Sequence, residues 1–486
     1  MLTITSIVCN LEFEFILEAM LQRTRETLTV ILIALLPLHA LFVTVATRLF
    51  AGLGHAPLPA LALWKEVLLA VILLIAFAEW IIHPAWKKRW SMDRLDILLI
   101  VLLILSVVVT GLTHGQWRLY LLGFKYDFLP LVAFFALRRV LWSDVFLKRA
   151  LHSVMLVGGV IAAYGIVTFF LPQQYFHWLG YSDLHSLYLP NAPIAGYQQI
   201  GGSFLRRIQS TMSGPNQLGL WLLLPWTIGV VTLFTSPIDK RWLPNLLHFH
   251  VDRRYIKRSA YLLLIGIALL LTFSRSAWIA ALVILVTALY DFQTRDAFLR
   301  AMVRLVAVVG GTVILIMVLA PGTLLRVASS RDHFLRPLQA THSIMQYPFG
   351  RGLGMAGPAS NRVSDPCVYL EAGADASWAA VHPNLCVFVD GRQVQPVERT
   401  CLCPLLPENW YLQLGIELGT AGFALFLAFI LLTIHSLRAR YGSGEVFLIF
   451  LGISVAALFL HAWEDSAVAF TVWILVAACS PRERPT

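Results

Sequence analysis

The sequence predicts an all-α integral membrane protein with about 12 transmembrane helices and a large exterior loop between helices 9 and 10. Of its 486 residues, 58% are apolar and 13% are charged, whereas an average soluble protein carries roughly 25% charged residues. The mean hydropathy is +0.74. Apolar runs recur at the length of about 20 residues that a bilayer core of about 30 Å requires. This composition excludes a soluble enzyme, a disordered chain and a fibrous repeat.

The apolar runs predict where the spans begin and end. The seventh and eighth runs are almost continuous, and only the polar TFSRS sequence at 272–276 divides them. The spans are expected near residues 28–50, 61–82, 95–113, 119–136, 150–171, 216–235, 259–273, 276–291, 303–320, 410–434, 446–461 and 463–479.

The basic residues orient the predicted helices. Cytoplasmic connections of membrane proteins are enriched in Lys and Arg, and 23 of the 37 basic residues fall on the connections of one side, with clusters at 87–94, 240–258 and 482–484. The net charge of +10 therefore indicates cytoplasmic loops rather than nucleic-acid binding. Twelve spans then place both termini in the cytoplasm. Because residues 1–27 mix acids and bases, the first apolar run is predicted to be an uncleaved helix.

Two long connections lie on the predicted exterior side. They divide the chain into helices 1–9 at 1–320, which include the exterior loop 172–215, then an exterior cysteine-containing loop at 321–407, and helices 10–12 at 408–486. Loops are frequent carriers of function, so these two are expected to line a cavity or to handle a substrate. The alternative is that they form a passive cap.

The loop 321–407 holds four of the six cysteines, namely Cys367, Cys386, Cys401 and Cys403. Cysteines on an exported segment predict disulfides, here two, with three possible pairings. The Cys401–Cys403 pair is the least favoured because a single intervening residue makes a strained ring. A zinc site is the alternative, but the spacing lacks two CxxC-type pairs. No metal or cofactor is predicted.

Basic residues near the exterior ends of the spans predict an anion site. Arg206 and Arg207 precede a Ser-Gly-Pro-Asn turn that opens span six, and a helix N-terminus binds anions through its free N–H groups and its positive dipole end. Arg275 lies in the TFSRS interruption, and ionisable residues at membrane depth are functional candidates by default. Lys65 is expected to join this site. The alternative for each arginine is an interfacial or capping role.

Two residues are candidates for a general base. Glu408 begins ENWYLQLGIELG, where the long loop returns to the membrane, and His382 lies in VHPNLC within the loop. A positioned carboxylate or imidazole can accept a proton near neutral pH. The alternatives are a helix-start acid favoured by the helix dipole for Glu408 and an incidental loop histidine for His382.

Other charged residues are expected to have supporting roles. Lys125 and Asp127 are predicted to neutralise each other inside the bundle, and Glu464 with Asp465 to orient a cation or an arginine at the last outer turn. The sequence contains no P-loop, dinucleotide-binding glycine pattern or HExxH. The energy for any reaction must then come from an activated donor, and arginines with one base at the exterior face suggest a lipid-linked phosphate.

Three segments together resemble the O-antigen ligase and O-antigen polymerase superfamily. They are RRIQSTMSGPNQLGLWLLL, LLLTFSRSAWIAALVIL, and YPFGRGLG followed after the long exterior loop by ENWYLQLGIELGTAG. Their order, their sidedness and the twelve-span frame also fit, and the resemblance covers about residues 200–430. The sequence departs from the family at Glu408-Asn409, where the family often has His-Asn.

The resemblance implies a metal-independent, inverting glycosyltransferase of the bacterial inner (cytoplasmic) membrane that acts in lipopolysaccharide biosynthesis. Such enzymes move a glycan from an undecaprenyl-pyrophosphate carrier to an acceptor hydroxyl of another glycan or of lipid A-core. Carried over, Arg206 or Arg207 would hold the pyrophosphate together with Arg275, and either Glu408 or His382 would supply the base. Membrane lipids are the other expected partners, and no nucleic acid is expected.

The alternative class is a flippase for lipid-linked oligosaccharides or another transporter. Transporters are often built from two related halves, and no repeat relates residues 1–240 to 241–486. The exterior loops are also unevenly distributed, which favours an enzyme. Within the transferase class, the replacement of His by Glu408 slightly favours a polymerase over a ligase, and a protein hydroxyl is a third acceptor.

Overall fold

The computed structural model describes residues 2–82, 92–182, 193–199, 205–235, 253–319, 327–370, 373–442 and 444–479. The predicted basic clusters at 87–89, 240–241 and 482–484 lie outside these residues. The described part of the chain is mostly helical. Its helices are α1 (Leu2–Leu35), α2 (His39–Ala51), α3 (Pro59–Ala62), α4 (Trp64–Ile82), α5 (Arg94–Leu112), α6 (Trp117–Gly123), α7 (Leu129–Leu137), α8 (Asp144–Phe170), α9 (Gln173–Leu179), α10 (Pro215–Thr235), α11 (Arg253–Leu271), α12 (Arg275–Phe292), α13 (Arg295–Leu319), α14 (Val327–Gln346), α15 (Gly357–Asn361), α16 (Trp410–Tyr441), α17 (Glu445–Ala456) and α18 (Ser466–Cys479).

Seven helical segments of the described residues are long and apolar enough to cross a membrane. Two shorter apolar helices, α17 and α18, follow the last of them. Together these segments confirm the predicted class, a multi-pass and mostly α-helical membrane protein, and each predicted span overlaps a helix. The seven are Ile16–Ala51, Arg94–Leu112, Trp117–Leu137, Asp144–Phe170, Pro215–Thr235, Arg275–Phe292 and Trp410–Tyr441.

Several of the long helices are interrupted. A 3₁₀ turn at Leu36–Leu38 separates α1 from α2, where Pro37 lacks the N–H that a continuous helix would use. A π-helical turn at Phe124–Phe128 separates α6 from α7. Within α16, Gly419 has φ 73°, a value that glycine adopts without the clash a Cβ would cause. The last two interruptions lie beside the polar residues described below, and π turns are frequent at functional sites.

Polar contacts gather at the two ends of the bundle. At one end, Arg25 donates to Glu79 over 2.8 Å inside the protein, and Arg438 pairs with Asp291. At the opposite end, the Asn409 side chain donates to the Leu458 carbonyl over 2.9 Å. We refer to this second end as the Glu408 end, because Glu408 immediately precedes Asn409.

The connection between the last two helices is longer than predicted. The sequence suggested spans 446–461 and 463–479 with one residue between them, but α17 ends at Ala456 and α18 begins at Ser466. Asp465 explains the late start of α18, because its carboxylate accepts from the N–H groups of Ala467 and Val468 over 3.0 and 3.1 Å. Asp465 is therefore an N-terminal cap rather than a residue that only orients a cation.

The predicted loop 321–407 contains regular structure that the sequence analysis did not predict. Beyond α14 and α15, it forms a three-stranded sheet of β3 (Cys367–Leu370), β4 (Cys386–Val389) and β5 (Arg392–Gln395). Strands β3 and β4 are parallel, and β4 and β5 are antiparallel. A small core of Val368, Ala379, Leu385 and Val387 lies beneath the sheet.

Two disulfides close this β unit. Cys367 pairs with Cys403, and Cys386 pairs with Cys401. The two disulfides predicted from sequence are therefore present, in one of the three pairings that were open. All four sulfur atoms that the zinc alternative required are bonded to one another instead.

Part of the predicted exterior connection 172–215 descends between the helices. Strands β1 (Gln198–Gln199) and β2 (Arg206–Arg207) pair, and the chain then runs into the bundle. Ser210 Oγ donates to the Ile161 carbonyl over 2.8 Å, and Thr211 Oγ1 donates to the Pro37 carbonyl over 2.8 Å. Non-helical backbone at such depth is stable only where protein or a water-filled cavity surrounds it.

Candidate functional site

Arg207 connects two of the segments that carry the family resemblance. Its Nε donates to the backbone oxygen of Thr272 over 2.9 Å, and its Nη2 donates to Asn216 Oδ1 over 2.7 Å. Thr272 belongs to the TFSRS interruption, and Asn216 belongs to the first turn of α10. The extended segment at 206–208 runs beside the end of α11, where the Ile208 N–H donates to the Leu271 carbonyl over 3.1 Å.

The N-termini of α10 and α12 meet beside Arg207. Gly219 of α10 faces the first turn of α12 so closely that an added Cβ would lie 2.9 Å from the Ala277 Cβ and 3.1 Å from the Ser274 Cβ. Arg275 is the first residue of α12. Each N-terminus carries free N–H groups and a partial positive charge. Arg207 and the two helix N-termini therefore form a region of positive potential suited to an anion, and Arg275 begins one of these two helices.

Arg206 has a different environment from its neighbour. Its Nη1 donates to the carbonyls of Thr168 and Leu171 over 3.0 and 2.5 Å, at the C-terminal end of α8. Its Nη2 donates to the Tyr197 hydroxyl over 3.1 Å, and its guanidinium lies 3.9 Å from the centre of that ring. These contacts indicate a helix-capping role for Arg206, so Arg207 is the better candidate of the two for an anion site.

Gln209 lies two residues beyond Arg207 and is 3% exposed. Neither its amide oxygen nor its amide nitrogen has a hydrogen-bond partner among the described residues. An unpaired buried amide costs about 1–3 kcal/mol and calls for an explanation. A polar ligand in this region would supply the missing partner.

Lys65 is bound elsewhere. Its Nζ donates to Ser466 Oγ over 2.7 Å and lies 4.0 Å from Glu66 Oε1. Lys65 therefore connects α4 to the start of α18, and nothing in its contacts adds it to the anion site.

The expected Lys125–Asp127 pair is wrong. Lys125 pairs with Glu66 over 2.8 Å, whereas Asp127 accepts from the Trp410 indole over 2.9 Å. The reason is the π-helical turn at Phe124–Phe128, which contains both residues. Residues two apart on a helical turn point to different faces, so each side chain meets a different neighbouring helix.

Glu408 forms an ion pair at its own end of the bundle. Its Oε1 accepts from Arg336 Nη1 over 2.5 Å, with the Arg336 side chain 34% exposed and the Glu408 side chain 22% exposed. Glu408 also has φ 53°, a left-handed conformation that is strained for a residue with a Cβ and that clusters at functional sites. If this carboxylate accepted a proton, it would lose its charge and with it the ion pair to Arg336.

The residues after Glu408 are fixed to the turn between α17 and α18. The Trp410 N–H donates to the Ala457 carbonyl over 3.0 Å, and Asn409 reaches Leu458 as described above. The Asn409 side chain also accepts from the Leu412 N–H over 3.0 Å and so caps α16. These bonds place the start of α16 against residues 457–458, three residues before His461.

His461 is a candidate that the sequence analysis missed. Its Nδ1 lies 3.5 Å from Glu464 Oε2, and its side chain is 17% exposed. Burial lowers the pKa of His461 to about 4, while the nearby Glu408 raises this pKa and Arg336 lowers it. The sequence did contain one indication of this site. Glu464 and Asp465 follow His461 in the same turn and make this connection between two apolar spans unusually polar.

A buried polar network extends from His461 into the bundle. Gln413 Nε2 donates to Glu464 Oε1 over 2.5 Å, and Asp127 lies close enough to Glu464 to act on it electrostatically. Burial and the neighbouring Asp127 raise the pKa of Glu464 well above its ordinary value. The network joins the turn at 457–465 to α16 and to the π-helical turn.

The YPFGRGLG segment has a structural role beside this network. Its backbone pairs with the interruption of α16, where the Gly352 N–H donates to the Glu417 carbonyl over 3.0 Å. Glu417 Oε1 accepts from the N–H groups of Gly354 and Ala356 over 3.0 and 3.1 Å. Gly354 has φ 84°, and an added Cβ would lie 2.1 Å from the Leu119 carbonyl oxygen. Only glycine fits at this position.

His382 lies in the disulfide-closed β unit. Its carbonyl accepts from Gln395 Nε2 over 2.8 Å. Its imidazole makes no recorded hydrogen bond or ion pair with the residues that the structure describes. The charges of Glu408 and Arg336 act on His461, which makes His461 a further candidate for the base.

No protein-family model matches this chain, and no curated protein matches it.

Proposed function

We propose that this protein is an integral-membrane glycosyltransferase of the O-antigen polymerase or ligase type. It would move a glycan from an undecaprenyl-pyrophosphate carrier to an acceptor hydroxyl at the exterior face of the bacterial inner membrane. The observation that carries the proposal is Arg207, whose guanidinium joins Thr272 to Asn216 where the N-termini of α10 and α12 meet. Two separate sequence blocks of the resemblance thus contribute to one positive region.

This positive region would hold the pyrophosphate of the donor. Arg207 and Arg275 offer planar, permanently charged groups that bind phosphate oxygens in a bidentate manner. Charge builds up on the pyrophosphate as its bond to the sugar breaks, and fixed donors in a site of low dielectric stabilise that charge. The arginines and helix N-termini would take the place that a divalent cation occupies in other phosphate sites, so the reaction is proposed to be metal-independent.

The acceptor hydroxyl would attack the anomeric carbon directly. Its oxygen forms the new glycosidic bond while the bond from carbon to the pyrophosphate oxygen breaks, so the configuration at that carbon inverts. The acceptor is another lipid-linked glycan or lipid A-core, and the Glu408-Asn409 departure from the family pattern favours the polymerase.

The orientation that goes with this function has twelve spans and both termini in the cytoplasm. Two features support it. The Arg438–Asp291 pair lies at the end opposite Glu408, as expected if that end is cytoplasmic. The two disulfides belong to the loop expected outside, and disulfides persist in oxidising compartments such as the periplasm.

Purified protein in lipid vesicles tests the function. The protein is incubated with a defined undecaprenyl-pyrophosphate glycan, either alone or with lipid A-core, and the products are analysed by mass spectrometry. A polymerase extends the glycan without lipid A-core, and a ligase requires it. Arg275→Ala protein at equal amount is the matched control and is expected to form no product. Absence of any product with wild-type protein and either acceptor contradicts the proposal.

A further inference from the structure

We infer that His461 is the general base of this transferase, in place of the Glu408 and His382 candidates suggested by the sequence. The inference rests on the proposed function and names the residue that would take the proton of the acceptor hydroxyl. Three observations support it. His461 lies within electrostatic range of the Glu408–Arg336 pair, and its Nδ1 lies near Glu464. Neither of its ring nitrogens has a hydrogen-bond partner among the described residues.

The position of His461 follows from the backbone bonds that fix the start of α16 to the last turn. Trp410 and Asn409 bind the carbonyls of Ala457 and Leu458. The imidazole consequently lies close enough to Glu408 and Arg336 for both charges to act on it.

Among the residues that the structure describes, the ring nitrogens of His461 have no hydrogen-bond partners. Nδ1 and Nε2 are both covered, and neither is hydrogen-bonded within the described residues. A structural histidine would normally satisfy these groups, because leaving buried polar groups unpaired costs free energy. The ring edge keeps some exposure, since the side chain is 17% exposed. Because both nitrogens are covered, the ring would have to rotate before an acceptor hydroxyl could reach one of them.

Glu464 provides the orientation that a catalytic imidazole needs. Oε2 lies 3.5 Å from Nδ1, and if this oxygen acts as the acceptor, a small approach would place the imidazole proton on Nδ1 and leave the lone pair on Nε2. Glu464 is itself held by Gln413 over 2.5 Å. His461 would thus be oriented by the Glu464 carboxyl group, and Glu464 is held in turn by the Gln413 amide. Catalytic bases are commonly oriented by such a third group.

The charges around His461 agree with a neutral, proton-accepting imidazole. The charged groups around it are Glu408 and Arg336, which both act on it electrostatically, and Glu464, whose Oε2 lies 3.5 Å from its Nδ1. Burial lowers its pKa to about 4, so the ring is uncharged near pH 7. Glu408 already holds Arg336, and its carboxylate would have to leave that ion pair to accept a proton.

The step balances without any added reactant. The acceptor oxygen donates an electron pair to the anomeric carbon, and its proton passes to His461 Nε2. The electrons of the broken carbon–oxygen bond leave with the undecaprenyl pyrophosphate, whose charge Arg207 and Arg275 neutralise. The imidazolium then releases its proton to solvent.

The first test compares His461→Gln, His382→Gln and Glu408→Gln in the transfer assay with the lipid-linked donor. Loss of a general base typically lowers a rate by about 10²–10⁴-fold, and we expect that loss for His461→Gln alone, with the affinity for undecaprenyl pyrophosphate unchanged. If His461→Gln keeps wild-type activity, the inference is wrong while the proposed function stands. If wild-type protein transfers nothing, the proposed function fails instead.

Folding and chemistry are separated by a second variant. His461→Ala leaves space for a free imidazole, and added imidazole should restore part of the transfer rate without changing the thermal unfolding temperature. A loss of activity that follows the loss of folded protein, with no response to imidazole, would assign His461 a structural role and overturn the inference.

The pH dependence of the transfer rate distinguishes a catalytic from a structural role, because a purely structural histidine would not set the pH at which the rate falls. The rate should fall on the acid side as His461 becomes protonated. Glu408→Gln removes a charge that raises the pKa of His461, so the acid limb should move to lower pH. Arg336→Gln removes a charge that lowers this pKa, so the limb should move to higher pH. Shifts in the opposite directions, or none, contradict the assignment.

Discussion

Arg207 Nε donates a hydrogen bond of 2.9 Å to the Thr272 carbonyl, across 65 residues of sequence. The same guanidinium binds Asn216 at the start of α10. One side chain therefore fixes the N-terminus of α10 to the interruption from which α12 begins. The two helix N-termini are held as a unit, and we expect their combined positive potential to depend on Arg207 as well as on Arg275.

Substitutions at Arg207 and Arg275 test this unit. Arg275→Ala should abolish transfer, and Arg275→Lys should leave little, because lysine keeps the charge but not the bidentate geometry. Arg207→Ala should lower the rate by about 10²–10³-fold, the loss typical for one donor to a developing negative charge. Rates are measured per folded molecule in the donor assay.

Arg206 is the matched control for Arg207. Arg206→Lys removes contacts to the end of α8, so its effect should appear mainly as a lower unfolding temperature. Full activity of Arg275→Ala at normal protein levels would remove Arg275 from the site. A larger catalytic loss at Arg206 than at Arg207 would reverse their assignment.

Gly354→Ala tests whether the YPFGRGLG segment must pack closely against the backbone of α6. This change adds a Cβ 2.1 Å from the Leu119 carbonyl oxygen at a φ of 84°, so it should lower the unfolding temperature markedly. Gly373→Ala is the control, since Gly373 has a similar φ of 80° with nothing within 4 Å of the added Cβ. The control should lose only the stability that corresponds to left-handed backbone strain, about 1–2 kcal/mol. Equal losses would show that strain alone, and not close approach, makes glycine necessary at residue 354.

Two ion pairs at the end opposite Glu408 should differ in their contribution to stability. Arg25 and Glu79 are buried, with 0% and 5% exposure of their side chains. Glu79→Gln should lower stability by about 3–5 kcal/mol, because it leaves the Arg25 charge uncompensated. Asp291→Asn, which breaks the more exposed pair with Arg438, should cost less than about 1 kcal/mol. Thermal unfolding in detergent measures both, and equal losses would contradict the difference in burial.

The disulfides predict a labelling pattern. A membrane-impermeant maleimide applied to intact spheroplasts should label none of the cysteines of the β unit until a reductant is added. After reduction, partly exposed Cys367, Cys401 and Cys403 should react. The two cysteines outside the β unit, Cys9 and Cys479, are replaced by serine to remove their background. Labelling without reductant, and only after lysis, would contradict both the pairing and the exterior position of the unit.

The membrane class was predictable because hydropathy is a local property of the sequence. The interruption between α11 and α12 was predictable for the same reason, since four of the five residues of TFSRS are polar or positively charged and lie between apolar runs. Each predicted span overlaps a helix, although α17 and α18 are shorter than expected.

The contacts between distant segments were not predictable. Nothing in the sequence chooses between Arg206 and Arg207, because the choice depends on the end of α8 and on the position of Tyr197. His461 was overlooked because it comes within electrostatic range of Glu408 only after Trp410 and Asn409 bind the turn at 457–465. The strands of the β unit were not predictable because each has only four residues, too few for a clear hydrophobic alternation. Two disulfides hold the unit together.

We propose that the protein cleaves a lipid-linked donor rather than moving it intact. The most direct measurement counts undecaprenyl pyrophosphate released and glycosidic bonds formed in vesicles that contain EDTA and purified protein. We expect one carrier molecule released for each new bond, inversion at the anomeric carbon, and no dependence on metal. Transfer of intact donor from one leaflet to the other, with no carrier released, would contradict the claim and identify a transporter.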